Sequence, residues 1–234
     1  MPNPRLLFLD SDALIQVMLV SAVPILRVLK SGYGVLSVIV PEVELEILSG
    51  KFAPRLGSML KKAIDNGLIR VLEPSMFAQI LHDDPNKSIT VGKSYADIQT
   101  RGRAYSRRVD TGEAYTFAAA ATLCQPCTSN DKSAIEAMLV AGLELPKHIL
   151  RSFDIFVFAH QIGHSTDGDC DCMRQTLVGE KEFVPKAFVG QSYQAGLTQF
   201  QPRLIDRTKP CFGIQTSQLP VDFTAPVYLD AISI

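Results

Sequence analysis

The chain has 234 residues, room for one domain with extensions or two small ones. Its 23 basic and 24 acidic residues leave a net charge of −1, so no global field attracts a polyanion and any nucleic-acid site has to be a local patch. The five cysteines, odd in number and irregular in spacing, fit reduced thiols in the cytoplasm better than a disulfide framework. No basic stretch followed by an apolar run and a cleavage site opens the chain, so no signal peptide is expected.

The first element is Leu6 to Asp12, LLFLDSD. A short, continuous apolar run reads as a strand buried on both faces of a parallel sheet. The abrupt switch to acid puts Asp10 at its carboxyl end, where open α/β sheets bind ligands. The bland alternative is that Asp10 or Asp12 only caps the helix that follows. That helix covers the most apolar window, Ala13 to Leu29, which Gln16, Ser21, Pro24 and Arg27 interrupt. It is too short and too broken for a membrane span, and reads as a buried helix kinked at Pro24 and stopped near Ser31 and Gly32.

Val35 to Val40 is a second, β-branched strand. Pro41 then opens the helix PEVELEIL, with Glu42, Glu44 and Glu46. A helix over 54–66 and a strand over 68–72 follow, so that strands and helices alternate as in βαβ units. Residues 73–92 are weakly periodic and contain the turn-rich HDDPNKS. The dense basic cluster comes next, with Lys93, Arg101, Arg103, Arg107 and Arg108. It is either a solvated helical face or a patch for phosphates.

Val109 to Leu123 is an alanine-rich, tightly packed helix, and its opening Asp110-Thr-Gly-Glu113 fits a capping box. Cys127 to Ser129 reads as a strand ending in Asn130 and Asp131, and Lys132 to Gly142 as a helix. Leu143 to Leu145 is expected to form a last short strand, with helices over 153–162 and 169–179 beyond it. From Gln191 the chain shows no period and is expected to be an irregular extension, packed in part through Phe200, Leu204, Phe212 and Tyr228. The expected fold is α/β, a three-layer α/β/α sandwich on a mostly parallel sheet over 1–190, with the extension over 191–234.

Four segments thus begin or end with an acid at a sheet edge: Asp10, Glu46, Glu113 and Asp131. Their order resembles that of the PIN-domain ribonucleases. The matching strings are LLFLDSDAL, VPEVELEIL, DTGEAYTFAAAA and CTSNDKSAIEAM, with FDIFVFAHQIGHS and MRQTLVGEKEFVPKAF similar to the closing helices of the family. The resemblance covers about residues 5 to 190, and the chain is longer than the small PIN-domain toxins by an insertion over 73–108 and the tail.

The resemblance implies that Asp10, Glu46, Glu113 and Asp131 bind metal, with Ser129 among the catalytic residues and Asp12, Asp110 and Asn130 behind them. Glu46 is preferred over Glu42 and Glu44 because an acid followed by two apolar residues matches the family's pattern. Converging carboxylates repel unless a cation neutralises them, and hard oxygen ligands suit Mg²⁺ or Mn²⁺. One or two such ions can activate water and stabilise the leaving oxygen in phosphodiester hydrolysis. Arg101, Arg103, Arg107 and Arg108 would then hold the RNA backbone.

The expected function is a cytoplasmic, metal-dependent endoribonuclease, toxin-like or acting in defence or RNA processing. Its expected partners are an RNA substrate and a protein inhibitor or second copy, with no membrane. The alternative is a binding module in which the acids are caps and the basic stretch docks a partner. A zinc site from Cys124, Cys127, His160, His164, Cys170 and Cys172 is a lesser expectation, as small buried thiols often only pack. His82 and His148 read as loop residues, and the glycosylation pattern Asn86-Lys87-Ser88 has no meaning in a cytosolic chain.

Overall fold

β1 (Arg5–Phe8) lies at the centre of a five-stranded, wholly parallel sheet. The computed structural model describes residues 5–75, 88–123, 125–146 and 149–199. On one side β1 pairs with β2 (Val35–Ile39), Phe8 opposite Val38, and β3 (Ile69–Val71) adds beyond it. On the other side Phe8 lies opposite Cys127 of β4 (Cys127–Thr128), and β5 (Ile149–Leu150) forms the edge. The order is β3-β2-β1-β4-β5.

Leu6, Leu7, Phe8 and Leu9 are all buried. Helices therefore cover both faces of the sheet, and this is why the run shows no alternation. The chain builds outward from β1 to β3 and then returns to the far side of β1, so the order reverses between β1 and β4. In open α/β sheets the crevice at such a reversal, beyond the carboxyl ends of the strands, is the ligand site. Asp10 follows β1 and Ser129 to Asp131 follow β4, one on each side of that crevice.

The expected kinked helix is two helices, α1 (Ser11–Leu19) and α2 (Val23–Tyr33), whose axes bend by 107° at the break. Pro24 starts α2 rather than bending α1, because a missing N–H costs nothing in a first turn. The turn itself falls at Ser21, whose φ is +57°. The stop residue is Gly34, left-handed at φ +64°, not Gly32. Among the described residues no single helix is long and apolar enough to cross a membrane.

α3 (Pro41–Ser49) and α4 (Ala53–Asp65) connect β2 to β3, and α5 (Ser88–Tyr105) leads to α6 (Thr111–Thr122). The alanines of α6 have the expected reason. Ala118, Ala119 and Ala120 are fully buried where α6 packs on β1, β4, α3 and α5. α5 crosses it at Gly102, where a β-carbon would lie 2.5 Å from the Tyr115 ring. Small residues at both contacts let α6 sit low on the sheet, and its first turn reaches the crevice.

α7 (Lys132–Val140) follows β4. The strand expected at Leu143 to Leu145 does not form, because those residues still close α7. Gly142 is left-handed at φ +65°, its N–H bonds Leu139 O at 2.9 Å, and Leu143 N–H bonds Met138 O at 3.0 Å. This is a Schellman motif. The edge strand comes later, at Ile149–Leu150, and receives Ser129 N–H on Leu150 O at 2.8 Å.

α8 (Ser152–Gln161) and α9 (Asp167–Gly179) complete the outer layer, followed by a 3₁₀ turn at Lys186–Phe188. The stretch after Gln191 is not wholly irregular: it contains α10 (Tyr193–Gln199). Tyr193 is fully buried, its ring stacked on Phe188 at 5.4 Å and edge-on to His160 at 5.1 Å. Residues 200–234, with Phe200, Leu204, Phe212 and Tyr228, lie outside the described residues, as do His82, Asn86, Lys87, Cys124, His148 and the Lys93 side chain.

Candidate metal centre

Each of the four expected carboxylates arrives on a different element, and each is anchored by one oxygen. Asp10 caps α1: Ala13 N–H donates to its Oδ1 at 3.0 Å. The Thr128 hydroxyl donates to the same Oδ1 at 2.9 Å, and Asp10 N–H returns to Thr128 Oγ1 at 3.0 Å. Thr128 thereby locks the end of β1 to the end of β4. Asp131 caps α7, its Oδ1 accepting Ser133 N–H at 2.7 Å.

Glu46 and Glu113 are not caps of their own helices. Glu46, on α3, accepts Gly112 N–H at the first turn of α6 on Oε1, at 2.8 Å. A β-carbon at Gly112 would sit 2.4 Å from Glu46 Oε2, so glycine is what lets the carboxylate approach. The capping box expected at Asp110 and Glu113 does not form, as the Asp110 side chain makes no cap bond. Glu113 turns away instead, and the Ser129 hydroxyl donates to its Oε1. Ser129 Oγ also accepts Asp131 N–H at 3.2 Å.

In all four, the second oxygen takes no hydrogen bond among the described residues. The carboxylates line one cleft of about 260 Å³ together with Asp12, Asp110, Ser11 and Thr111. No lysine or arginine pairs with any of its acids among the described residues. Asp10 is 4 % and Glu113 8 % exposed. Burial pushes Asp10 up to about 7 against the opposing Thr128 and Ala13 bonds, with the Asp12 charge adding to the rise. Burial pushes Glu113 up to about 8 against the Ser129 bond, with Asp10, Asp131 and Asp12 adding. Asp12 is raised by burial first, then by Glu182, Asp131, Glu46 and Asp110.

Among the described residues no three Asp, Glu, His or Cys side chains stand close enough together to hold a metal ion by themselves. This bears differently on the two metals expected. Structural zinc takes four direct protein ligands. Among the described residues the thiols and imidazoles do not assemble them. Cys127 is buried in β4, His160 Nε2 meets Asp167 at 2.8 Å, and His164 and Cys172 line a separate groove. Burial pushes the Cys170 thiol up to about 11, where it is inert. Magnesium keeps several waters and needs only one or two carboxylates. An open, hard-oxygen cleft with unspent oxygens and no internal cation fits it.

The structure brings Asp12 and Asp110 to the cleft but not Asn130. Asn130 Oδ1 accepts the backbone N–H and the hydroxyl of Ser152, both at 3.2 Å, toward α8. Arg101 is engaged elsewhere: its Nη1 meets Glu144 at 2.5 Å, beside a Tyr105 hydroxyl bond to Glu144 O at 2.8 Å. Arg103, Arg107 and Arg108 are exposed and make no ion pair among the described residues. Arg107 and Arg108 stand three and two residues before Asp110 in the chain, and neither lines the cleft. The sequence reading missed Thr128 and Gly112. The only signal for Gly112 was a glycine placed inside a helix start.

No protein-family model matches the chain, and no curated protein or solved structure matches it. The five-stranded parallel sheet in the order 3-2-1-4-5 is compatible with PIN-like folds.

Proposed function

We propose that the protein is a Mg²⁺- or Mn²⁺-dependent endoribonuclease of PIN type. One observation carries this: four carboxylates from four segments line one cleft at the switch point of the sheet, each with one oxygen anchored and one unspent, and without a basic partner among the described residues. Capping accounts for Asp10 and Asp131, and Glu46 caps the first turn of α6 from α3, but no cap accounts for Glu113. Burying uncompensated carboxylates costs several kcal/mol, and a scaffold alone has no need of the cluster. The binding-module reading keeps the support of the three formed caps, and it predicts no response to metal.

Asp10, Glu46, Glu113 and Asp131 would hold the ion, which when bound neutralises the cluster, activates water and stabilises the leaving oxygen. The other residues orient. Thr128 fixes Asp10, Gly112 fixes Glu46, and Ser129 fixes Glu113 while tying it to the Asp131 backbone. Arg103, Arg107 and Arg108 would take substrate phosphates, whose negative charge the bare cleft repels. Under this reading the partners are RNA and, for a toxin-like rather than a defence or processing role, a protein inhibitor or second copy in the cytoplasm. The test is an RNA ladder incubated with the protein in Mn²⁺ and in EDTA. Metal-dependent fragments support the proposal, and RNA left intact in Mn²⁺ refutes it.

A further inference from the structure

We propose that Lys51 and Arg55 form a second phosphate-binding flank of the cleft, parked on Glu182 and Glu180 until a nucleic-acid strand replaces those carboxylates. This rests on the nuclease reading, and it adds a strand path that does not depend on α5.

The placement follows from the end of α3. Gly50 N–H bonds Glu46 O at 2.8 Å, and a β-carbon there would lie 2.6 Å from that oxygen. The chain therefore turns hard directly behind a cleft residue, and Lys51 emerges at once. Its side chain is 74 % exposed, with Nζ 3.5 Å from Glu182 and 4.4 Å from the centre of the Phe52 ring. Arg55, one turn on, pairs with Glu180.

The two acids flank Lys181, a non-glycine residue at φ +59°, an uncommon conformation, and Glu182 meets Lys51 just before α4 while Glu180 meets Arg55 in its first turn. Glu182 is not an ordinary surface acid. Its side chain is 13 % exposed, and it is the charge that weighs most on Asp12, a cleft residue. Lys51 is thus paired with a carboxylate whose charge is felt at Asp12 of the cleft.

A polyanion approaching six acids needs cations at the rim. Both bases are exposed although their acids are more covered, so a phosphate oxygen can reach Lys51 or Arg55 from solvent and compete with the carboxylates. Arg brings a planar fork suited to phosphate, and Lys a point charge. The bland alternative is that both pairs simply fasten the turn after α9 to α4.

The two readings differ in sign. If the pairs are fasteners, removing either partner breaks the same bond and acts in the same direction. If the bases await phosphate, Lys51→Ala and Arg55→Ala weaken binding, whereas Glu182→Gln strengthens it by removing the competitor. The measurement is fluorescence anisotropy of a labelled single-stranded 20-nucleotide RNA, with the full chain carrying Asp131→Asn to block cleavage, over 50–200 mM salt.

The expected result is a several-fold loss of affinity for each basic variant, with the salt slope shallower by about one per residue removed. For Glu182→Gln a several-fold gain is expected. Glu182→Gln weakening binding alongside the others, an unchanged salt slope in both basic variants, or no RNA binding at all would overturn the proposal. Wild-type cleavage in Mn²⁺, run in parallel, separates this failure from failure of the nuclease reading.

Discussion

Asp10→Asn gives a sharp physical test, because it removes a charge and keeps a shape. Asn retains an oxygen for Ala13 N–H and the Thr128 hydroxyl and caps a helix about as well as Asp. In the metal-free protein Asp10 binds its proton at about 7 folded, against an ordinary 3.8. The folded state therefore keeps a proton that the unfolded state releases. Stability falls as pH rises from about 4 through about 7, then levels off. Three pH units at about 1.4 kcal/mol each give ~4 kcal/mol, of which roughly 1–2 kcal/mol is already lost by pH 5. Glu113 belongs to the same cluster, so its share cannot simply be added.

In EDTA the Asn variant should lead wild type by only roughly 1–2 kcal/mol at pH 5 and by up to ~4 kcal/mol at pH 8, or roughly 10 °C for a domain of this size. Adding Mn²⁺ at pH 8 should raise wild type and leave the variant nearly unmoved, closing the gap. Thermal melts at both pH values, with and without Mn²⁺, read all of this. A gap independent of pH, or a variant less stable than wild type at pH 8, would refute the reasoning.

Gly112→Ala puts a β-carbon 2.4 Å from Glu46 Oε2, so the carboxylate must withdraw. Cleavage should be lost for ~1–3 kcal/mol of stability, as checked by an RNA assay beside urea unfolding. A fully active variant would show that Glu46 is not needed where it stands. Ser129→Ala removes the bond that holds Glu113 down, so its proton leaves at higher pH still. Mn²⁺ titrations by calorimetry should then show weaker binding at pH 6.5 and recovery toward pH 9, because binding releases protons. An unaltered pH dependence would remove Ser129 from the site.

How much of this was legible depended on the length of the signal. β1 and β2 are continuous apolar runs, and their position next to Asp10 and Glu46 followed from pattern. The acids Glu113 and Asp131 were legible as sheet-edge residues, but their hydrogen bonds were not. Asp110-Thr-Gly-Glu113 satisfies the capping-box pattern, yet the buried Ser129 hydroxyl, sixteen residues away, competes for Glu113 and wins. β5 has two residues and no period, so apolar Leu143 to Leu145 drew attention that a Schellman bond had already claimed. Arg101 looked like its neighbours in sequence, and only the fold shows Glu144 beside it. Lys51 and Arg55 were invisible as a site, because nothing in a sequence places residue 182 next to residue 51.

The central claim is that the four unspent carboxylate oxygens share a hard divalent cation. The most direct measurement is an anomalous difference map from crystals of the full chain soaked in Mn²⁺, compared with Asp131→Asn crystals treated identically. A peak within ligand distance of Asp10 and Asp131 in wild type, lost or much weakened in the variant, is the predicted result. A cleft without anomalous density at millimolar Mn²⁺, or an equal peak in both crystals, would contradict it.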